Sequence, residues 1–242
     1  MRERLLNLTR RQLLRAAAGV TAIGLWPRGL SLAADEPTKK APPAPTPLMC
    51  KQGEVLLEDQ FGGGAYAKDW FRITGQFDVE NDALRCAELA ADNHHSELST
   101  GSIGPLKSSE LVVQFSFKLD GATMLAVGIE NPQGHVARAI ATPDGFQIMK
   151  WAGKSDVRKL RFAPGSWHTV LWEIQGTEMV AQLDDQPLLY VDDPGLKIEK
   201  TRLVLINLGQ TAWFDDVRVW KAEPNDRWPE QRKKLKGQGL VR

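Results

Sequence analysis

Four histidines, the carboxylates Glu58-Asp59 and Asp215-Asp216, and eight tryptophans carry most of the chemistry this 242-residue chain can offer. Imidazole titrates near neutrality, so it serves as base, acid or metal ligand with small adjustments. His94 and His95 follow Ala91-Asp92-Asn93, a polar segment in which packing has no need of a ring. They read as a base or as metal ligands, against the alternative of two exposed loop histidines. Successive strand residues point to opposite faces, so both rings reach one pocket only if the segment is a loop. His135 starts an apolar run after Gly134 and would share a face with Ala137 and Ala139, small residues that leave room for a ligand. Arg138 would then lie on the other face unless a bulge re-aims it. His168, next to Trp167, reads as structural. The candidate catalytic residues are His94, His95 and His135.

Hard oxygen donors suggest a second and different site. Glu58-Asp59 opens the folded part of the chain and Asp215-Asp216 lies near its end. If the first and last strands are neighbours, these four carboxylates would suit calcium in a structural role. Alternatively, they cap turns and accept backbone hydrogen bonds. Trp151 and Trp213 sit beside turn-like sequence, where a sugar ring can stack on an aromatic face; with Arg138 they form the candidate ligand-binding set. Trp172 shares a face with Val170 and Ile174 and reads as core. There is no Gly-x-Ser-x-Gly elbow, phosphate loop, Cys-x-x-Cys or His-Glu-x-x-His. The Glu-x-Asp-x-x-Glu strand that sets carboxylates together for retaining glycosidases is also missing.

The elements that position these residues are strands. Leu111, Val113, Phe115, Phe117 and Leu119 alternate with Gln114, Ser116 and Lys118. The same period of two recurs at Val170, Trp172 and Ile174, at Met179, Ala181 and Leu183, and at Val217 and Val219. Turn-forming runs such as Asn131-Pro132-Gln133-Gly134 and Thr142-Pro143-Asp144-Gly145 separate them. No stretch of 48–220 supplies a helix of three turns. Many short antiparallel strands predict an all-β fold, a two-sheet sandwich or jelly roll, with an up-and-down barrel as the alternative. The domain spans residues 49–220. A basic tail over 221–242 follows, with a short helix expected after Trp228-Pro229.

The N-terminal residues read as processing information. Arg10-Arg11 precedes leucines, the apolar run Ala16–Trp26 and small residues at Ala33-Ala34, which predicts a twin-arginine signal peptide over 1–34. Eleven apolar residues fall short of the roughly 20 needed to cross a bilayer, so the mature protein is expected to have no transmembrane helix. Residues 35–48 form a Pro-rich linker, a stiff extended spacer. The expected location is periplasmic or secreted. In such a compartment Cys50 and Cys86 form either one disulfide or two buried thiols. Segment 48–220 carries 16 Lys and Arg against 24 Asp and Glu, a net charge of −8, which makes nucleic acid a poor partner.

The segment from Gly134-His135-Val136-Ala137-Arg138 to Thr142-Pro143-Asp144-Gly145-Phe146 resembles secreted bacterial proteins of the laminin-G/concanavalin A-like jelly roll. Within these it is similar to the branch grouped with the 3-keto-disaccharide hydrolase domain. Pro164-Gly165-Ser166-Trp167-His168-Thr169-Val170, the hairpin Glu178–Pro187 and the strand Phe214–Trp220 resemble further strands of that superfamily. The likeness runs over roughly residues 53–220. It implies carbohydrate as the partner and cleavage of 3-oxidised glycosides as the reaction, a non-catalytic glycan- or protein-binding module being the alternative. A ketone at C3 acidifies the neighbouring C–H, so a base can eliminate the glycosidic oxygen without paired carboxylates.

Overall fold

The computed structural model describes residues 41–101 and 104–241. The signal-peptide segment and the start of the Pro-rich linker lie outside the described residues. Thirteen strands and one helix follow in the order β1 (Cys50–Asp59), β2 (Phe71–Thr74), β3 (Gln76–Glu80), β4 (Ala83–Ala87), β5 (Ser96–Ser99), β6 (Leu111–Asn131), β7 (Gly134–Thr142), β8 (Gly145–Lys150), β9 (Ser155–Lys159), β10 (Trp167–Gln175), β11 (Glu178–Leu183), β12 (Leu189–Asp192), β13 (Arg202–Pro224) and α1 (Trp228–Gly237). The all-β expectation holds, as does the terminal helix after Trp228-Pro229.

Two long strands organise the fold. β6 and β13 pair antiparallel along almost their whole length, and each passes from one layer into the other. The first part of β6 pairs β10, which continues through β11 to β12. The later part of β13 pairs β1 and β4 in this first layer, and β4 pairs β3. The second part of β6 pairs β7, followed by β8 and β9. The early part of β13 pairs β5, with β2 at the edge of this second layer. The crossing from layer to layer falls at Gly121 and Gly209, with φ of 83° and 93°. A Cβ at Gly209 would sit 2.9 Å from the Thr123 nitrogen, so the backbones approach there as only glycine permits.

Alternation along these strands builds the core. Phe115 and Phe117 from the first part of β6 share one buried cluster with Leu125, Val127 and Ile129 from the second. The two layers therefore close over a common interior as a sandwich, and the barrel alternative falls. Trp172 is buried in that cluster, as its spacing predicts.

Part of the outer face of the first layer is covered by the chain itself. Glu173, fully buried on that face, accepts hydrogen bonds from the backbone N–H groups of Leu48 (2.9 Å), Met49 (2.8 Å) and Cys50 (2.6 Å). Burial pushes its carboxyl pKa up, and the three donors pull it back. Further along the Pro-rich segment, Thr169 Oγ1 donates to the Pro42 carbonyl at 2.6 Å and Gln182 to the Thr46 carbonyl at 2.8 Å. Trp228 of α1 packs with Met49, Val112, Leu171 and Val180 on the same face. Cys50 and Cys86 are separate buried thiols, both with pKa raised by burial. They pair with Pro224 and Ala212 of β13, twelve residues apart. At about 3.3 Å per residue that spacing is far beyond the reach of a disulfide.

Candidate functional site

The outer face of the second layer gathers five of the ten candidate residues. The site begins with a bulge in β7. Ala137 pairs Ile129 but His135 pairs Glu130, so β7 carries one extra residue, Val136. Val136 and Ala137 both enter the core. The extra residue puts His135 on the same outward face as Arg138, instead of on the face of Ala137 and Ala139. Trp151, whose backbone N–H donates to the Val136 carbonyl at 2.9 Å, joins them from just after β8.

Three planar groups meet at this point. The guanidinium of Arg138 lies 4.4 Å from the centroid of the Trp151 ring, and the His135 ring meets Trp151 edge-on at 4.6 Å. His135 Nδ1 is in contact with one carboxylate oxygen of Glu130, whose other oxygen accepts from Arg202 Nε at 2.7 Å. Glu130 is buried, so its charge depends on these two partners. A carboxylate only accepts, so Nδ1 of a neutral His135 carries the hydrogen and Nε2 holds the lone pair. Arg138 Nη2 is also 3.5 Å from Nδ1, at the limit of a hydrogen bond, and does not compete with the shorter carboxylate contact.

The second group lies across the sheet on β5 and the loop before it. A 3-10 turn over Ala90–Asp92 ends at Asn93 in the left-handed region (φ 49°). Asp92 holds this loop by accepting from the Gly75 backbone N–H at 2.5 Å. Because the segment is a loop, His94 and His95 turn to the same side, with ring centroids 3.8 Å apart. Both line an open cleft of about 800 Å³ between this loop and the crossings at Gly121 and Gly209. Glu97 follows on β5 with its Oε2 3.6 Å from His95 Nε2. Among the described residues, the metal-type donors that gather within 4.8 Å of one another are those of His94, His95 and Glu97.

Arg138 links the two groups. A Cβ on Gly128 would lie 3.8 Å from Arg138 Nε, so the side chain crosses β6 over a residue that offers no obstruction. Burial lowers the Arg138 pKa, and the charges of Glu130 and then Glu97 oppose that shift. Burial likewise lowers the His95 pKa; His94 adds to the shift, Glu97 opposes it and Arg138 adds again. The aliphatic cluster of Ala126, Val204 and Ile206 lies on the same sheet face.

The chain is similar to a sialidase among solved structures, with a TM-score of 0.55 and 14% identity over 77% of this chain. It spans only 21% of that sialidase. It is also similar to SCLam, a non-specific endo-β-1,3(4)-glucanase from family GH16 (TM-score 0.55, 15% identity, 75% of this chain and 96% of that one). A third neighbour is a protein of unknown function with a galectin-like fold from Bacillus subtilis (TM-score 0.53, 12% identity, 73% and 100%). The fold is a concanavalin A-like jelly roll. Neither a protein-family model nor a curated protein sequence matches the chain. At such low identities the likeness fixes the jelly roll and leaves its function to its residues.

The remaining candidates lie elsewhere on the jelly roll. Trp213 packs in the first layer under the ammonium of Lys118, 4.4 Å from its ring centroid, apart from Trp151. His168 is structural in its contacts: Nδ1 bonds Asp184 at 2.7 Å, and its ring packs on Phe117 and Phe162. β1 does run beside β13, pairing Glu58 with Arg218 and Asp59 with Val217. Each of the four carboxylates expected to hold calcium meets a protein donor. Asp59 accepts from the backbone N–H of Phe61 (2.8 Å) and Ala67 (2.8 Å) and from Trp70 Nε1 (3.0 Å). Arg218 bridges Glu58 and Asp216, each at 3.1 Å, and Asp215 accepts from the Asp216 backbone N–H at 2.6 Å. Glu97, Glu130 and Arg202 were not legible as site residues. Their signal was present: each is a charge within an otherwise apolar or half-buried strand, and Glu97 stands two residues from His95, on the same face.

Proposed function

We propose that this protein is carbohydrate-related and that the outer face of the second layer is its glycan-binding surface. The observation that carries this reading is the convergence of Trp151, Arg138 and His135, with Glu130 and Arg202 fixing the imidazole. A sugar presents C–H faces that stack on an aromatic ring and vicinal hydroxyls that pair with guanidinium and carboxylate groups. Trp151 is 37% exposed and available for that contact. The sialidase and the glucanase among its structural neighbours support the same class of ligand. Titrating the protein with a panel of oligosaccharides while following tryptophan fluorescence tests it. Saturable binding that is lost in Trp151→Ala and Arg138→Ala is expected; binding unaltered in both variants, or no binding to any glycan, overturns it.

The pairing of His135 with buried Glu130 favours a second, finer reading, cleavage of 3-keto-glycosides. Nε2 of His135 would take the proton at C2 of the oxidised sugar. The freed electron pair forms the C1–C2 double bond, the glycosidic oxygen leaves C1 with a proton, and water adds to complete hydrolysis. Release of free sugar from a 3-keto-disaccharide by the wild-type protein, abolished in His135→Ala, is the expected result. Glycan binding without turnover would leave a binding module.

A further inference from the structure

We propose that His94, His95 and Glu97 form a site for a divalent transition-metal ion of the zinc class at the edge of the cleft. Two imidazole nitrogens and a carboxylate oxygen about 2.0–2.2 Å from one ion stand roughly 3.3–3.5 Å from each other. The three ligand atoms already lie within 4.8 Å of one another, and His95 Nε2 and Glu97 Oε2 are 3.6 Å apart. All three side chains reach solvent, so small rotations close the remaining gap without moving the backbone.

The surroundings prepare the ligands. His94 Nδ1 stands 3.0 Å from the His95 carbonyl oxygen, which also accepts from Thr74 Oγ1 at 2.6 Å. A carbonyl can only accept, so Nδ1 carries the hydrogen and Nε2 of His94 keeps its lone pair for an ion. A histidine fixed through its second nitrogen is the common arrangement at metal centres. Strand geometry sets Glu97 two residues from His95 on the same side, while the loop at Asn93 brings His94 round to join them. Two nitrogens and one oxygen suit Zn²⁺, Co²⁺, Ni²⁺ or Mn²⁺; calcium takes six to eight oxygen ligands. Three protein ligands leave further coordination positions open toward the cleft, as in a catalytic rather than a structural centre. Sugar hydroxyl or ketone oxygens are the donors that would occupy them. That last clause rests on the glycan reading, whereas uptake of the ion does not.

Metal-stripped, untagged full-length protein titrated with Zn²⁺ by calorimetry, and with Co²⁺ by visible absorption, tests the site. The expected result is one equivalent of metal, and affinity at least tenfold weaker in each of His94→Ala, His95→Ala and Glu97→Gln. His168→Gln, in the other layer, should bind as the wild type does, and circular dichroism should report native structure for all four variants. Substoichiometric uptake by the wild type overturns the proposal, as does unchanged affinity in the His95→Ala and Glu97→Gln variants. Metal uptake without any sugar binding would count only against the glycan surface. Sugar binding without metal uptake would count only against the ion.

Discussion

Replacing Glu130 by glutamine separates the shape of that side chain from its charge. In the native protein Glu130 accepts from Arg202 Nε at 2.7 Å through one oxygen and contacts His135 Nδ1 through the other. Arg202 is donor-only, so the amide oxygen of the substituted side chain must face it, and the amide NH₂ then faces His135. Nδ1 becomes an acceptor and the ring hydrogen moves to Nε2, the atom that needs a lone pair to act as a base. The bond to His135 becomes a neutral one, while the bond from Arg202 keeps its charged donor and loses only the charge on its acceptor. Each charge-assisted bond is worth about 1.5–3 kcal/mol and a neutral one about 1, but His135 and Arg202 both reach solvent. A net loss of about 1–2 kcal/mol in unfolding free energy is therefore expected, measurable by urea denaturation. Holding a catalytic histidine in the wrong tautomer costs on the order of 10⁴-fold in the serine proteases, and a loss of about 10³–10⁴-fold is expected in any 3-keto-glycoside cleavage. The decisive assay is ¹⁵N NMR of the His135 ring, which distinguishes the two tautomers without requiring any substrate. An unchanged tautomer in Glu130→Gln, with stability intact, would refute the coupling of these residues.

Glu173→Gln should strand at least one of the three backbone donors at Leu48, Met49 and Cys50, lowering stability by about 2–4 kcal/mol. Hydrogen exchange at residues 48–50 should quicken, and unchanged protection there would show that the carboxylate does not hold this segment. Lys200 is fully buried, and burial lowers its pKa from 10.5 to about 8 while its ammonium donates to the carbonyls of Leu196 (2.7 Å) and Ile198 (2.9 Å). Between those two values the unfolded chain binds the proton and the native one does not, so this group makes stability rise with pH from about 8 to 10.5, by up to about 3 kcal/mol. The wild-type curve should climb relative to that of Lys200→Met across this window; parallel curves would assign the ammonium an ordinary pKa.

The layers were legible because alternation is a property of neighbouring residues: Leu111 to Leu119 and Val170 to Ile174 reveal their inward faces without knowledge of their partners. The crossings were less so. Nothing local says that β6 runs through 21 residues and serves both layers, since that follows from pairing with an equally long β13. Trp151 and Trp213 were not separable in the sequence, because the layer each one joins depends on strand order. Asp59 shows the same limit. A carboxylate at the start of a domain looks the same in sequence whether it waits for calcium or organises a loop through Phe61, Ala67 and Trp70.

The bulge at Val136 shows most clearly how the site depends on a non-local cause. In an unbroken strand His135 would face the core with Ala137, where an imidazole could reach neither Trp151 nor water. One extra residue reverses the parity at His135 alone and leaves Arg138 and Ile140 where alternation puts them. The same displacement brings His135 opposite Glu130, the last charge of β6 before the Asn131–Gly134 turn, and Arg202 on β13 completes the group from the other side. Each of the three is the wrong residue for its strand on propensity grounds, and buried Glu130 is satisfied by the other two. Meanwhile residues 41–49 and α1 cover part of the outer face of the first layer. On the outer face of the second layer aromatic, cationic and carboxylate groups meet around Trp151, Arg138 and Glu130.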